Sequence, residues 1–271
     1  MVPPAPGRHY VSVRPSRAAL VLVAVAFIAA CEASPAATPS APPASAVPSS
    51  VAPSASPAWT PPPPVVPERG TYVAVPEEKF LRLWSQPGPG ATKAGWLRTR
   101  NDWKQTVPML VEGGFRDREG REWLRVQLPV RPNGTTGWID AADVDLEERT
   151  DRIVVDLSAR TLWHLRVGEV RHRFSVGVGT PTYPTTPGRF SVWALVEYAD
   201  PTGPYGAFAL GLSGFSDVIT DWPGGGRMAI HGTADPGDRG AAVSHGCVRV
   251  YNAELESLRG VPLGTPVVIR A

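Results

Sequence analysis

Residues 151–271 alternate on a period of two: Ile153, Val155 and Leu157, then Leu162, His164 and Arg166, then Phe174, Val176 and Val178. That period predicts β-strands with one face buried, and Gly168-Glu169 supplies a hairpin turn between two of them. Further apolar runs at 190–196, 228–230 and 266–269 extend the same reading. Helix is expected only briefly, with Asn252 capping Ala253 to Arg259, Glu254 in the first turn and Gly260 as the stop. Residues 71–148 carry shorter β-type runs at 80–84, 108–111, 122–128 and 136–139, separated by Gly, Pro and Asn. Such spacing predicts a second all-β unit. Five of the nine Trp residues fall in it, at 84, 96, 103, 123 and 138, and are expected to fill a small core.

The amino-terminal quarter, residues 1–70, has neither period. Arg8, Arg14 and Arg17 precede 13 apolar residues, Ala18 to Ala30. This is a charged region followed by an apolar stretch too short for a permanent span, so residues 1–30 are expected to be a signal peptide. Ile28-Ala29-Ala30-Cys31 resembles the bacterial lipobox, which implies lipidation of Cys31, an anchor in the cytoplasmic membrane and an extracytoplasmic location; an unmodified secreted protein is the alternative. Residues 31–70 form a linker. Between 32 and 67 it holds 12 Pro with many Ala and Ser and almost nothing large and apolar, a composition that cannot build a core. The expected domains are therefore 1–30, 31–70, 71–148 and 151–271. In the third, the alternation Trp123 to Leu128, the turn Pro132-Asn133-Gly134 and the run Gly137-Trp138-Ile139 resemble a bacterial SH3-like domain, which implies a small barrel serving as a wall-binding module or as a spacer.

Charge and cysteine content narrow the chemistry. Without its leader the chain has 24 Lys and Arg against 25 Asp and Glu, so no basic field attracts nucleic acid. Residues 151–271 contain 11 Arg, no Lys and 11 acids. The two cysteines exclude a disulfide framework. Cys247 stands in Ser244-His245-Gly246-Cys247-Val248-Arg249, with His231 sixteen positions earlier in Ile230-His231-Gly232-Thr233. A free thiol has a pKa near ~8.5, so it needs a base to take its proton. A neighbouring imidazole can do so, and backbone N–H groups beside a glycine can hold an oxyanion. A buried inert thiol and a zinc site using His231, His245 and Cys247 are the alternatives, though the spacing lacks a CxxC or HExxH pattern. Spacing leaves both His231 and His245 open as the base, because a residue two before Cys247 on a strand shares its face.

At these residues the chain resembles the L,D-transpeptidases with a YkuD catalytic domain. The resemblance rests on His231, twelve intervening residues and Ser244 to Arg249, and on Ile153 to Ser158, Ser175 to Gly179 and Thr186 to Phe190. It covers residues 151–271 and implies a β-sandwich or barrel with one short helix. By the same resemblance Cys247 is the nucleophile, His231 the base and the Gly232 carbonyl its orienting partner. Ser244, His245 and Gly246 shape the pocket and oxyanion hole, and Arg249 braces the motif or meets a substrate carboxylate. The implied reaction is acyl transfer between peptidoglycan stem peptides, with release of D-Ala and formation of 3→3 cross-links. Neither cofactor nor metal is implied, and carbapenems are expected to acylate the thiol. Loops 180–188 and 221–227 are expected to set specificity. A carboxypeptidase or hydrolase using the same site, and a non-catalytic wall-binding lipoprotein, are the alternatives.

Overall fold

The computed structural model describes residues 70–222 and 224–271; the expected signal peptide, Cys31 and nearly all of the linker lie outside them. Seven strands occupy the first part: β1 Tyr72–Pro76, β2 Phe80–Trp84, β3 Lys93–Arg98, β4 Met109–Arg116, β5 Glu122–Gln127, β6 Thr136–Asp140 and β7 Val144–Glu148. They form one sheet in the order β3-β2-β6-β5-β4-β1-β7, curled around Ala74, Leu81, Met109, Leu124, Val126 and Ile139. The aliphatic residues fill this core, and the expected tryptophan core is corrected. Of the five Trp only Trp123 is fully buried, Trp84 and Trp138 are partly covered, and Trp96 and Trp103 are exposed. Strands β3 and β7 escape a reading by period because their apolar positions are few or are interrupted by glycine, and β1 because Tyr72 to Pro76 is apolar without alternation.

The second part contains β8 Asp151–Asp156, β9 Thr161–Arg166, β10 Glu169–Ser175, β11 Val178–Gly179, β12 Gly188–Glu197, β13 Phe208–Phe215, β14 Arg227–Thr233, β15 Ala242–Ser244, β16 Val248–Tyr251, the single turn of helix α1 Asn252–Leu255, and β17 Pro266–Arg270. Eight of these strands make a mixed sheet in the order β10-β9-β8-β17-β12-β13-β14-β16, and β11 and β15 pair in parallel beside it. Ile153, Val155, Leu162, Phe174, Val176 and Val178 all enter its core, on the predicted period. The hairpin turn lies one residue earlier than expected. Val167 and Gly168 are its central pair, both at positive φ, and strand β10 begins at Glu169, the backbone geometry that matches strand twist. Asn252 is also corrected: it is the first residue of α1, not its cap, and its amide reaches the Pro201 carbonyl at 3.3 Å. Strand β13 is buried along its whole length: Phe208, Leu210 and Leu212 enter the core on a period of two, with Ala209, Gly211 and Ser213 between them.

The two sheets belong to one compact unit, and side-chain amides join them. Strand β17 pairs with β12 only over Gly188–Ser191. Farther along the same edge, the Trp193 carbonyl accepts from Asn101 at 3.1 Å, and Gln105 bonds both the N–H and the carbonyl of Leu195, at 3.1 and 2.8 Å. These amides substitute for the missing strand and satisfy a backbone edge that is otherwise orphaned. Asn133 does the same for both backbone groups of Phe215.

Candidate active site

Strands β14 and β16 run parallel, with Ile230 opposite Val248 and His231 opposite Arg249. Alternation sends Ile230, Val248 and Val250 into the core and leaves Ala229, His231, Cys247 and Arg249 to line the opposite side. That side is the floor of a groove of about 530 Å³, within the size range of small-ligand sites. His231 and Cys247 therefore share one concave surface, along with Ser244, His245, Gly246 and Arg249.

His231 is almost fully buried, and its Nδ1 lies 2.9 Å from the carbonyl of Gly232. A carbonyl can only accept, so Nδ1 carries the hydrogen and the Nε2 lone pair is left for the groove. Gly232 is fixed from behind. Its N–H donates to the Tyr205 carbonyl at 2.8 Å, and a Cβ on Gly232 would meet the Asn252 amide oxygen at 2.2 Å and Gly206 Cα at 2.8 Å. Gly206, at φ +69°, permits the same close approach from the other chain segment. The pairing seats Tyr205 edge-on against the His231 ring, with centroids 5.0 Å apart.

Burial sets the protonation of both groups. It lowers the His231 pKa to about 4; the bond to Gly232 and the charge of Asp238 oppose this fall, while the charge of Arg249 adds to it. Burial also pushes the Cys247 thiol up, opposed by the Ala229 backbone and by Arg249. The resting pair at neutral pH is thus a thiol and a neutral imidazole. This differs from a thiolate held ready by an imidazolium, because burial disfavours the charged form of each group. Tyr198, stacked on Tyr205 at 5.3 Å, also has its pKa raised by burial, so its hydroxyl stays protonated beside the sulfur.

His245 and Gly246 form a bend between β15 and β16, so His245 does not share a strand with Cys247 and the strand-spacing argument does not apply to it. His245 is exposed at the groove mouth, between Tyr183 at 4.8 Å and Trp222 at 5.3 Å. Ser244 is buried and holds the bend from inside: its Oγ donates to the Cys247 carbonyl at 2.5 Å and accepts from Gly246 N–H at 3.1 Å. Gly246 takes φ +110°, a conformation that favours glycine. With the Gly246 N–H engaged, the N–H groups of His245 and Cys247 are the ones without a backbone partner among the described residues.

Arg249 is braced by Asp238 at 3.2 Å, and the same Asp238 oxygen accepts from Thr233 Oγ1 at 2.5 Å. Its backbone N–H and carbonyl exchange bonds with Gly177 at 2.8 Å each. Reasoning from sequence misses Asp238, Tyr198, Tyr205 and Trp222. Asp238 sits in a turn with no motif around it, and the aromatics lie in loops whose partners are distant in sequence. Trp222 belongs to the loop 221–227 that was expected to flank the site, and so does Arg227, whose burial lowers its pKa to about 10.

The model of the YkuD family, described as the L,D-transpeptidase catalytic domain, matches residues 150–269. YkuD of Bacillus subtilis is 33% identical over 118 residues, which are 43% of this chain and 64% of that protein. YkuD of Bacillus licheniformis is 34% identical over 119 residues, 44% of this chain and 64% of that protein. The match thus spans just under two thirds of the length of these curated relatives. Among solved structures, the catalytic domain of the Enterococcus faecium L,D-transpeptidase acylated by ertapenem is 28% identical, at a TM-score of 0.35, covering 45% of this chain and 98% of that one. An L,D-transpeptidase from Mycobacterium tuberculosis is 14% identical at a TM-score of 0.39, covering 56% and 90%.

Proposed function

Because residues 150–269 match the model of the YkuD L,D-transpeptidase catalytic domain, we propose that this chain cross-links peptidoglycan stem peptides through an acyl-enzyme on Cys247. The observation that carries this reading is the bond from His231 Nδ1 to Gly232, which leaves Nε2 unprotonated in the groove that also holds Cys247. Nε2 takes the thiol proton as the sulfur attacks the carbonyl of the third stem residue. The C–S bond forms and the carbonyl electrons move to oxygen, which accepts from the N–H groups of His245 and Cys247 in this reading. Collapse of the tetrahedral species breaks the bond to D-Ala, whose nitrogen takes the proton back from His231. The amine of a second stem then attacks the thioester, loses a proton to Nε2, and releases Cys247 with a 3→3 cross-link. Neutral resting groups suit this sequence, since the base must be free when substrate arrives.

Intact-mass analysis of the chain with a tetrapeptide stem tests the reading. Wild type gains the acyl mass with loss of one D-Ala, and an added acceptor amine discharges it to a cross-linked product. Cys247→Ala gains nothing. Equal labelling of that variant would remove Cys247 from the mechanism, and discharge to water alone would make the enzyme a carboxypeptidase. Carbapenems carry a strained acyl group and are expected to label the same sulfur. The amino-terminal sequence supports placing the enzyme outside the cytoplasmic membrane, anchored by lipid on Cys31, with residues 71–148 as an SH3-like module. Metabolic labelling with a lipid precursor, lost in Cys31→Ala, checks the anchor.

A further inference from the structure

The groove that holds Cys247 and His231 is closed at another point by residues of the first sheet, Asp102 and Trp103. We propose that the loop 101–105 is a specificity element of the active site, in which Trp103 and Asp102 bind a saccharide ring on the donor stem. This rests on the transpeptidase reading and deepens it.

The loop is built to hold a fixed shape. Asn101 is buried, and its Oδ1 accepts from the N–H of Trp103 at 3.1 Å and of Gln105 at 3.0 Å. Lys104 takes φ +62° between them, and its N–H returns to the Asn101 carbonyl at 3.0 Å. The Asn101 and Gln105 amides then fasten the loop to β12. Trp103 is consequently placed by a rigid support, and loops so held are suited to binding. Its indole leans edge-on against Trp193, centroids 6.1 Å apart at 82°, and 49% of the residue remains exposed. Two perpendicular indoles make an apolar corner that the protein leaves uncovered.

The charge around the corner selects among occupants. The Asp102 side chain is 76% exposed and lies 3.1 Å from Arg98, which is also largely exposed. Arg98 pairs with this carboxylate, and the half-buried Arg227 behind Trp193 feels its charge. It therefore offers no net negative field to draw a cationic side chain, yet it retains lone pairs for hydroxyl or amide donors. An apolar ring face with a rim of hydroxyls fits both features, and a muramyl peptide carries such a ring at the end of the stem away from the reacting carbonyl. Contacts remote from the chemistry of this kind raise selectivity without touching the reacting atoms.

The test uses the full chain and compares kcat/KM on a disaccharide-linked tetrapeptide with kcat/KM on the free tetrapeptide. Trp103→Ala is expected to lower the ratio of the two about tenfold through KM, the size of one lost aromatic contact, and Trp103→Phe to restore most of it. Asp102→Ala, a change on an exposed side chain, is expected to lower it about threefold, and it decides the question if Trp103→Ala fails to fold. An unchanged ratio, or an equal loss on both substrates, overturns the proposal. A wild-type enzyme inert toward both stems is the separate failure of the transpeptidase reading and takes this inference with it.

Discussion

The eight-stranded sheet buries one histidine near each end, and the two ends use it differently. His164 on β9, second from one edge, places Nε2 2.6 Å from the carboxylate of Asp151, which also holds Arg166 at 3.2 Å. Its Nδ1 is walled off without a partner. His231 on β14, second from the other edge, has only a carbonyl as partner and keeps Nε2 on a groove. Burial is nearly equal, at 5% and 3% exposure, so it does not separate the two. The partner does. A carboxylate ties the imidazole into a hydrogen-bonded network with Arg166, whereas a carbonyl fixes orientation and tautomer while leaving the ring free to exchange a proton.

The largest effect should come from removing each ring in turn. His231→Ala is expected to slow acylation of Cys247 by about 10²–10⁴, the usual worth of a positioned base. His164→Ala should leave the rate per folded molecule unchanged, measured as adduct formation over time by intact mass. Equal losses would erase the distinction between the two ends. The reciprocal variant acts on stability. Asp151→Asn leaves His164 and Arg166 beside a neutral amide and is expected to cost about 1–3 kcal/mol, the size of a weakened hydrogen bond to a buried charged group. Urea unfolding reads this, with activity per folded molecule retained.

A further effect follows from acid. The unfolded imidazole binds a proton near pH 6.5, but folded His231 does so only near pH 4. Between those values the unfolded chain holds more protons, so stability is full above pH 6.5 and falls as pH drops through the window. The fall from 6.5 to about 4 corresponds to about 3 kcal/mol by pH 4. Thermal unfolding at pH 7 and pH 4.5 should show the loss in wild type and a flatter acid limb in His231→Gln. A variant that loses as much as wild type would assign the acid limb to other groups.

Much of this contrast was legible in the sequence and some was not. Ile153, Val155, Leu162 and Phe174 announce their sheet because a half-buried strand must alternate, and His231 with Cys247 stands out because the leader-like amino terminus predicts export, where a lone thiol has little use. The partners were hidden. Asp151 and Asp238 are single acids on a strand and in a turn, and nothing local separates them from the solvated acids nearby. Trp103 illustrates the reverse error, since residue type argued for the core while the Asn101 turn directs the ring to the groove. In β13 the alternation of Phe208, Leu210 and Leu212 stops at Ser213 and Gly214, where small residues make room for neighbours: a Cβ on Gly214 would lie against the Phe190 ring.

The smallest effect isolates electrostatics from contact at the catalytic end. Asp238 does not touch His231, yet its charge raises the His231 pKa while that of Arg249 lowers it. The two charges are paired at 3.2 Å, so they largely cancel at the imidazole. Asp238→Asn keeps an acceptor oxygen for Thr233 and Arg249 but removes the negative charge, leaving Arg249 unopposed. His231 should become a weaker base, and the lower end of its acid window should move to lower pH. Acylation should slow by less than about tenfold, because the change in proton affinity is a fraction of that already imposed by burial. A purely structural role predicts a different pattern, with a lower unfolding midpoint and an unmoved acid window. The pH dependence of thermal unfolding in Asp238→Asn therefore decides whether this carboxylate tunes the imidazole across the groove or only holds the loop that carries it.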